Sequence, residues 1–253
     1  MSAPVLLLDA GNSRLKWALA TPGGYLAQGS LGYGERAQLP ASLAGFDAPR
    51  AALGCNVAGP QVAAELAAQL APLTIDWLRP VAAQAGLRNG YREPGQLGAD
   101  RWAALIGARG LAAGDCIVAM AGTALTVDAL SAEGDFLGGL IVPGFRLMRQ
   151  ALAQGTADLG LPGGEPADFP RSTGEAIVNG ALAALAGAIE QARGRLERHT
   201  GRPAQLLLSG GDGPLLAPLL APALAERLIA VDNLVLRGLA RLAFNDPERK
   251  PLP

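Results

Sequence analysis

The chain has 253 residues, half of them hydrophobic, and carries 21 Lys and Arg against 22 Asp and Glu, for a net charge of −1. That length supplies core for one large or two modest domains. The balanced charge, with no basic runs and no Lys/Arg clusters interleaved with aromatics, excludes a nucleic-acid surface and favours a small-molecule partner.

In chain order, Met1 to Pro4 lacks a basic leader segment, and the apolar run after it stops at Asp9. That run, "VLLLDAGNSRLKWALA" at 5–20, reads as a buried strand delivering a turn. Asp9 stands where the strand leaves the core, Gly11 permits a sharp bend, Asn12 and Ser13 are short polar turn residues, and Lys16 follows one helical turn or one hairpin arm later. Two readings fit. The turn is a tight β-hairpin, or its N–H groups, the strand-end carboxylate and the lysine hold a phosphate and its Mg²⁺.

Next come Cys55, in an apolar stretch, and a helical segment at 61–71. Cys55 and Cys116, the two cysteines, read as reduced buried thiols rather than a disulfide or metal cluster. "YREPGQLGADRWAALIGAR" places a loop before a helix expected over 99–113, with Asp100 and Arg101 in its first turn. They are a helix-terminal charge and a surface ion pair, or a pair that meets a substrate hydroxyl and a substrate anion. "CIVAMAGTALTVDAL" at 116–130 repeats the first motif, aligning Asp9-Ala10-Gly11-Asn12 with Met120-Ala121-Gly122-Thr123. Here the Thr123 and Thr126 hydroxyls, with Asp128, offer a second phosphate-facing turn.

The Gly- and Pro-rich segment 155–172 is expected as an exposed loop. "RSTGEAIVNG" contains a capping box, Ser172 with Glu175, which leaves Thr173 among unpaired N–H donors at the start of a helix expected over 175–199. The single histidine, His199, lies in the charged "RGRLERHTGR", which excludes a histidine-centred relay. "LLLSGGDG" at 206–213 is a third strand and turn, whose Gly210 and Gly211 let a flat ring and ribose approach the backbone. The apolar segment at 213–225 carries three prolines, so no membrane span is expected and the chain reads as soluble and cytoplasmic. Strands alternating with helices make this an α/β protein, with lobes at 1–115 and 116–253 and a nucleotide cleft.

"DAGNSRLK", "GADR", "AGTALTVD", "GGLIVPGFRLM", "STGEAI" with "NG", "LLLSGGD" and "DNLVLRGL", in this order over residues 9–239, resemble the motif set of type III pantothenate kinases, also described as Bvg accessory factor-like proteins. The resemblance implies duplicated ribonuclease H-like lobes of the actin-like/hexokinase/heat-shock ATPase superfamily, closed around ATP. It implies ATP-dependent phosphorylation of pantothenate to 4′-phosphopantothenate, in a homodimer whose substrate pocket lies near the subunit interface. Asp9 then matches the Mg²⁺–phosphate carboxylate, and Ala10, Gly11, Asn12, Ser13, Arg14, Leu15 and Lys16 complete the first phosphate loop. Thr123 matches a second phosphate contact, while Gly210 and Gly211 fall in the adenosine motif. Tyr91, Gly98, Ala99, Asp100 and Arg101 match the pantothenate site, with Asp100 as proton acceptor, and Thr173 matches a further pantothenate contact.

Two positions depart from the family pattern. Ser13 replaces the commoner threonine and keeps its hydroxyl; Met120 stands where many members have an aspartate that binds potassium or ammonium, and a thioether is a poor ligand for a hard cation. Two other functions compete: a kinase for another small hydroxyl substrate, and a nucleotide-binding accessory protein without turnover. Tyr91, Arg101 and Thr173 speak against the first, Asp100 against the second.

Overall fold

The computed structural model describes residues 3–154 and 163–246. Residues 155–162 of the expected loop lie outside them.

The chain forms two compact units, 1–111 with 134–136 and 233–253, and 112–133 with 137–232. The first opens with β1 (Val5–Ala10), β2 (Arg14–Thr21) and β3 (Gly24–Gly32), then α1 (Leu39–Ser42), β4 (Ala51–Asn56), α2 (Pro60–Leu70) and β5 (Ile75–Trp77). Its sheet runs β3-β2-β1-β4-β5, with β2 antiparallel and β4 parallel to β1. All six residues of β1 are buried, as expected of a central strand covered on both faces. On one face Val62, Leu66 and Leu70 of α2 pack with Leu6, Leu8, Leu15 and Ala52. Burying a leucine side chain contributes about 1.5–3 kcal/mol, so this layer is a main source of the unit's stability. The short β6 (Ala83–Gln84) and β7 (Leu87–Asn89) precede α3 (Ala99–Arg109), and Asp135 and Phe136 later pair in parallel with β7. The expected helix over 99–113 ends four residues early, at Arg109, with Gly110 as its C-cap. There the N–H groups of Gly110 and Leu111 tighten into i→i−3 bonds with Gly107 and Ala108.

The second unit contains β8 (Cys116–Ala121), β9 (Ala124–Leu130), β10 (Asp135–Pro143) from Leu137 onward, α4 (Phe145–Gln154), α5 (Thr173–Thr200), β11 (Gln205–Ser209), α6 (Gly213–Leu216), α7 (Pro222–Ala225) and β12 (Leu228–Ala230). Its strands are ordered β12-β11-β8-β9-β10, again with an antiparallel hairpin on one side of the central strand and parallel strands on the other. This is the order of the first sheet repeated, as the internal sequence repeat implied. Val178, Leu182, Leu185, Ile189 and Leu196 of α5 recur at helical spacing and bury one apolar stripe with Ile117, Leu125 and Leu206. Ser172 caps the helix, its hydroxyl accepting from Glu175 N at 3.2 Å. Gly201 ends it in the left-handed conformation.

The final helix, α8 (Leu234–Phe244), packs on α3 and on β1, β2 and β4, so a single cut near residue 115 does not describe the division. The α3–α8 crossing is so close that a Cβ on Gly238 would lie 1.8 Å from the Ala103 carbonyl oxygen.

Candidate functional site

Within the first unit, Gly11, Asn12 and Ser13 form the hairpin turn between β1 and β2. The register places Lys16 opposite Asp9 on β2 and Cys55 opposite Asp9 on β4. Lys16 therefore reaches the turn from a hairpin arm, which resolves the choice the sequence left open. Asp9 is only 9% exposed. Burial raises its carboxyl to about 6, although the Lys16 charge and a 3.4 Å hydrogen bond from the Cys55 thiol oppose the rise; the Asp100 charge adds to it. The Cys55 thiol is itself pushed well up, first by burial and then by the charges of Asp9 and Asp100. It stays a neutral donor.

The other residues of the turn point in different directions. Arg14 Nε donates to Ser30 Oγ at 2.8 Å on β3, and Leu15 is fully buried in the core, so Leu15 offers this site only backbone. Asn12 and Ser13 are exposed, and Ala10 is buried at the end of β1. The Tyr33 hydroxyl donates to the Gly11 carbonyl oxygen.

Asp100 sits in the first turn of α3, with Oδ1 accepting from Arg101 N at 2.8 Å. Gly98 is the N-cap and Ala99 the first helical residue; a Cβ on Gly98 would lie 2.6 Å from Asp100 Oδ1. Arg101 is 4% exposed, which removes the surface-ion-pair reading. Its Nη1 donates to Tyr91 Oη at 2.7 Å, and its guanidinium lies 5.6 and 5.8 Å from the ring centres of Tyr91 and Phe136. Those ring centres are themselves 5.4 Å apart, so the guanidinium lies beside the Tyr91–Phe136 pair at nearly equal distance from each ring. Asn89 braces the approach: its Oδ1 accepts from Tyr91 N and its Nδ2 donates to Pro94 O.

In the second unit, Thr123 lies on the turn joining β8 to β9, and its carbonyl accepts from Gly144 N at 3.0 Å. This second turn links strand to strand, like the first. Gly210 follows β11 with φ +103°, and a Cβ there would meet the Ala121 carbonyl oxygen at 2.1 Å. Gly211 beside it faces open space. Thr123, Gly210 and Gly211 are thus gathered around the ends of β8 and β11. Thr173 lies apart from them, exposed at the first residue of α5 and lining an apolar cavity of about 560 Å³ with Pro143, Met148, Leu152 and Ile177. The "NG" motif is a clamp. Asn179 donates to Glu165 O and accepts from Ala167 N, fixing the loop ahead of α5.

Four residues went unread as site components in the sequence: Tyr33, Cys55, Asn89 and Phe136. Cys55 meets Asp9 only through the pairing of β1 with β4, 46 residues apart, and Phe136 meets Arg101 only through the pairing of β10 with β7. No short motif records such neighbours.

Two sheets of one repeated strand order, with a buried carboxylate and a lysine flanking the first hairpin turn, give the chain the fold shared by actin-like ATPases and sugar kinases. Residues 5–195 match the family profile described as type III pantothenate kinase. A type III pantothenate kinase of Chromobacterium violaceum is 49% identical over 239 residues, covering 94% of this chain and 98% of that protein. Among solved structures, a Campylobacter jejuni protein described as a Baf-family transcriptional activator superposes with a TM-score of 0.64 at 22% identity, over 93% of this chain and 96% of that one. A Sinorhizobium meliloti protein described as a 2-dehydro-3-deoxygalactonokinase gives 0.57 at 19% identity, over 95% and 99%; both likenesses concern the fold. The chain belongs to the type III pantothenate kinase family.

Proposed function

We propose that this chain transfers the γ-phosphoryl group of ATP to the terminal hydroxyl of pantothenate, giving 4′-phosphopantothenate for coenzyme A synthesis, with Asp100 accepting the hydroxyl proton. The observation that carries the assignment of roles is the clustering within one unit: the Asp9 and Asp100 charges act on one another, Lys16 faces Asp9, and the Arg101–Tyr91–Phe136 cradle adjoins Asp100. Phosphoryl transfer asks chiefly for positioning and charge neutralisation, so a carboxylate of modest basicity suffices as acceptor. Arg101 pairs with the substrate carboxylate, and Tyr91 orients its guanidinium. Gly98 and Ala99 bring the helix start close to the acceptor hydroxyl. Thr123 contacts phosphate, Gly210 and Gly211 admit the adenosine, and Thr173 supplies a further polar contact to pantothenate.

Asp9 fits a Mg²⁺ ion bound together with nucleotide. No group of three or more His, Cys, Asp or Glu among the described residues forms a metal cage, and Mg²⁺ is ordinarily held by one or two carboxylates plus phosphate oxygens and water. A buried carboxylate whose charge is incompletely offset by Lys16 suits such a cation. When bound, the ion neutralises phosphate charge; Gly11, Asn12, Ser13 and Lys16 contribute N–H groups, a hydroxyl and an ammonium to the same task. Met120 supplies no carboxylate, which supports catalysis independent of potassium or ammonium.

The chain acts in the cytoplasm as a homodimer, without nucleic-acid or membrane partners. No helix among the described residues is long and apolar enough to cross a membrane. The dimer reading is supported by α4, none of whose residues is buried, and by the apolar cavity it shares with α5, which Thr173 lines. Coupled measurement of ADP release from ATP and Mg²⁺ tests the function: release should depend on pantothenate. Equal release with and without pantothenate would overturn it.

A further inference from the structure

The segment "YGERAQ" after β3 belongs to no motif, yet it places Tyr33 against the first hairpin turn. The Tyr33 hydroxyl donates to the Gly11 carbonyl oxygen, 22 residues away. The ring is fixed from behind: the Arg36 guanidinium lies 4.4 Å from its centre, Arg36 Nε donates to the Tyr33 carbonyl at 3.0 Å, and Arg36 is tied to Glu65 of α2 at 2.9 Å. Burial raises the Tyr33 hydroxyl, the Arg36 charge opposes this, and the Asp9 charge adds to it, which places the phenol within the field of the candidate metal carboxylate.

In a trans peptide the C=O and the following N–H point in opposite directions. With the Gly11 oxygen held toward Tyr33, the Asn12 N–H must face the other way. Asn12 is exposed and its N–H makes no hydrogen bond among the described residues. A free Gly11–Asn12 peptide in a glycine-containing turn can flip, and in the flipped state it presents a carbonyl oxygen, which repels phosphate, where the donor stood. We propose that Tyr33 is a positioning residue for ATP: its hydrogen bond to Gly11 locks the turn peptide with the Asn12 N–H presented to a phosphate oxygen. This rests on the reading of residues 9–16 as the phosphate turn. Tyr33 touches neither phosphate nor pantothenate in this role; it acts through Gly11.

Tyr33→Phe removes only the hydroxyl and retains the ring beneath Arg36, so the fold and the melting temperature should stay near those of the parent. Calorimetric titration with a non-hydrolysable ATP analogue and Mg²⁺ should show Kd raised about fivefold to tenfold, and KM for ATP should rise with it. KM for pantothenate should remain within twofold. Amide hydrogen exchange in the ligand-free protein should quicken at Gly11 to Ser13 and not in α3. A Tyr33→Phe variant binding the analogue within twofold of the parent would overturn the role of Tyr33 while leaving the phosphate turn intact. A parent protein that binds no analogue at all would overturn both.

Discussion

Asp9 and Asp100 are two carboxylates of one unit with different surroundings, and the difference assigns them different tests. Asp100→Asn keeps the size of the side chain and an Oδ1 for the Arg101 N–H, but removes the acceptor for the hydroxyl proton. Its kcat should fall about 10²-fold or more with analogue binding retained, as steady-state kinetics and calorimetry would show. Near-normal kcat would remove Asp100 from proton transfer. Asp9 carries a pH dependence instead. Its folded value of about 6 lies above the ordinary 3.8, so the stability linked to this group is complete below about pH 4 and is lost as pH rises through 6. Asp9→Asn abolishes that loss while keeping an oxygen for the Cys55 thiol. At pH 8 the ligand-free variant should be more stable than the parent by an amount of order 1–3 kcal/mol, although inactive. Thermal melts at pH 5 and pH 8 check this: the gap should open at the higher pH, and a variant less stable at both would refute it. The same titration gives the parent an acid limb near pH 6 in kcat/KM for ATP.

At the scale of elements, the sequence was most informative where a strand ends in a turn. "VLLLDAGNS" and "CIVAMAGT" both read as strand and turn because an uninterrupted apolar run meets a Gly-containing polar segment; β8 ends with its run at Ala121, and β1 continues two residues past Leu8 to Ala10. Pairing was less legible. That α8 closes on α3 follows from no local pattern, since two glycines 131 residues apart, Gly107 and Gly238, create the crossing. A Cβ on Gly107 would lie 2.6 Å from the Leu234 carbonyl oxygen, and one on Gly238 at 1.8 Å from that of Ala103. Backbone cannot yield as a side chain can, so Gly238→Ala must push the helices apart. The expected loss is about 3 kcal/mol, read from urea denaturation. Because α3 begins with Asp100 and Arg101, activity should fall as well. Gly187→Ala, exposed within α5 and with nothing within 4 Å of the added methyl, should instead gain about 0.5–1 kcal/mol from helix propensity. Opposite signs from one chemical change separate packing from propensity; equal losses would refute the helix-crossing argument.

At the scale of the whole chain, the repeated strand order shows two units built alike and equipped differently. Asp9 and Met120 hold the same place, the last residue but one of the central strand. Asp9 has Lys16 and Cys55 as its cross-strand partners, whereas Met120 has Thr126 and Ser209. The second turn therefore offers hydroxyls and backbone at its strand end, and no carboxylate at the position where relatives are expected to hold a monovalent cation. Methionine fills that space with a polarizable thioether that binds hard cations poorly. The neighbouring carboxylate on β9, Asp128, lies opposite Val118 and is 1% exposed, away from the strand end. The rate of phosphorylation in sodium or Tris should consequently lie within about threefold of that in potassium or ammonium, a barrier difference below about 1 kcal/mol. Met120→Asp should introduce a dependence that the parent lacks, with potassium restoring a rate that sodium does not. Assays of both proteins in potassium, ammonium, sodium and a bulky organic cation at constant ionic strength decide the matter. A tenfold or greater potassium requirement in the parent would refute the prediction, and would assign the ion to carbonyls and to the Thr126 hydroxyl, whose oxygen is buried with no hydrogen-bond partner among the described residues.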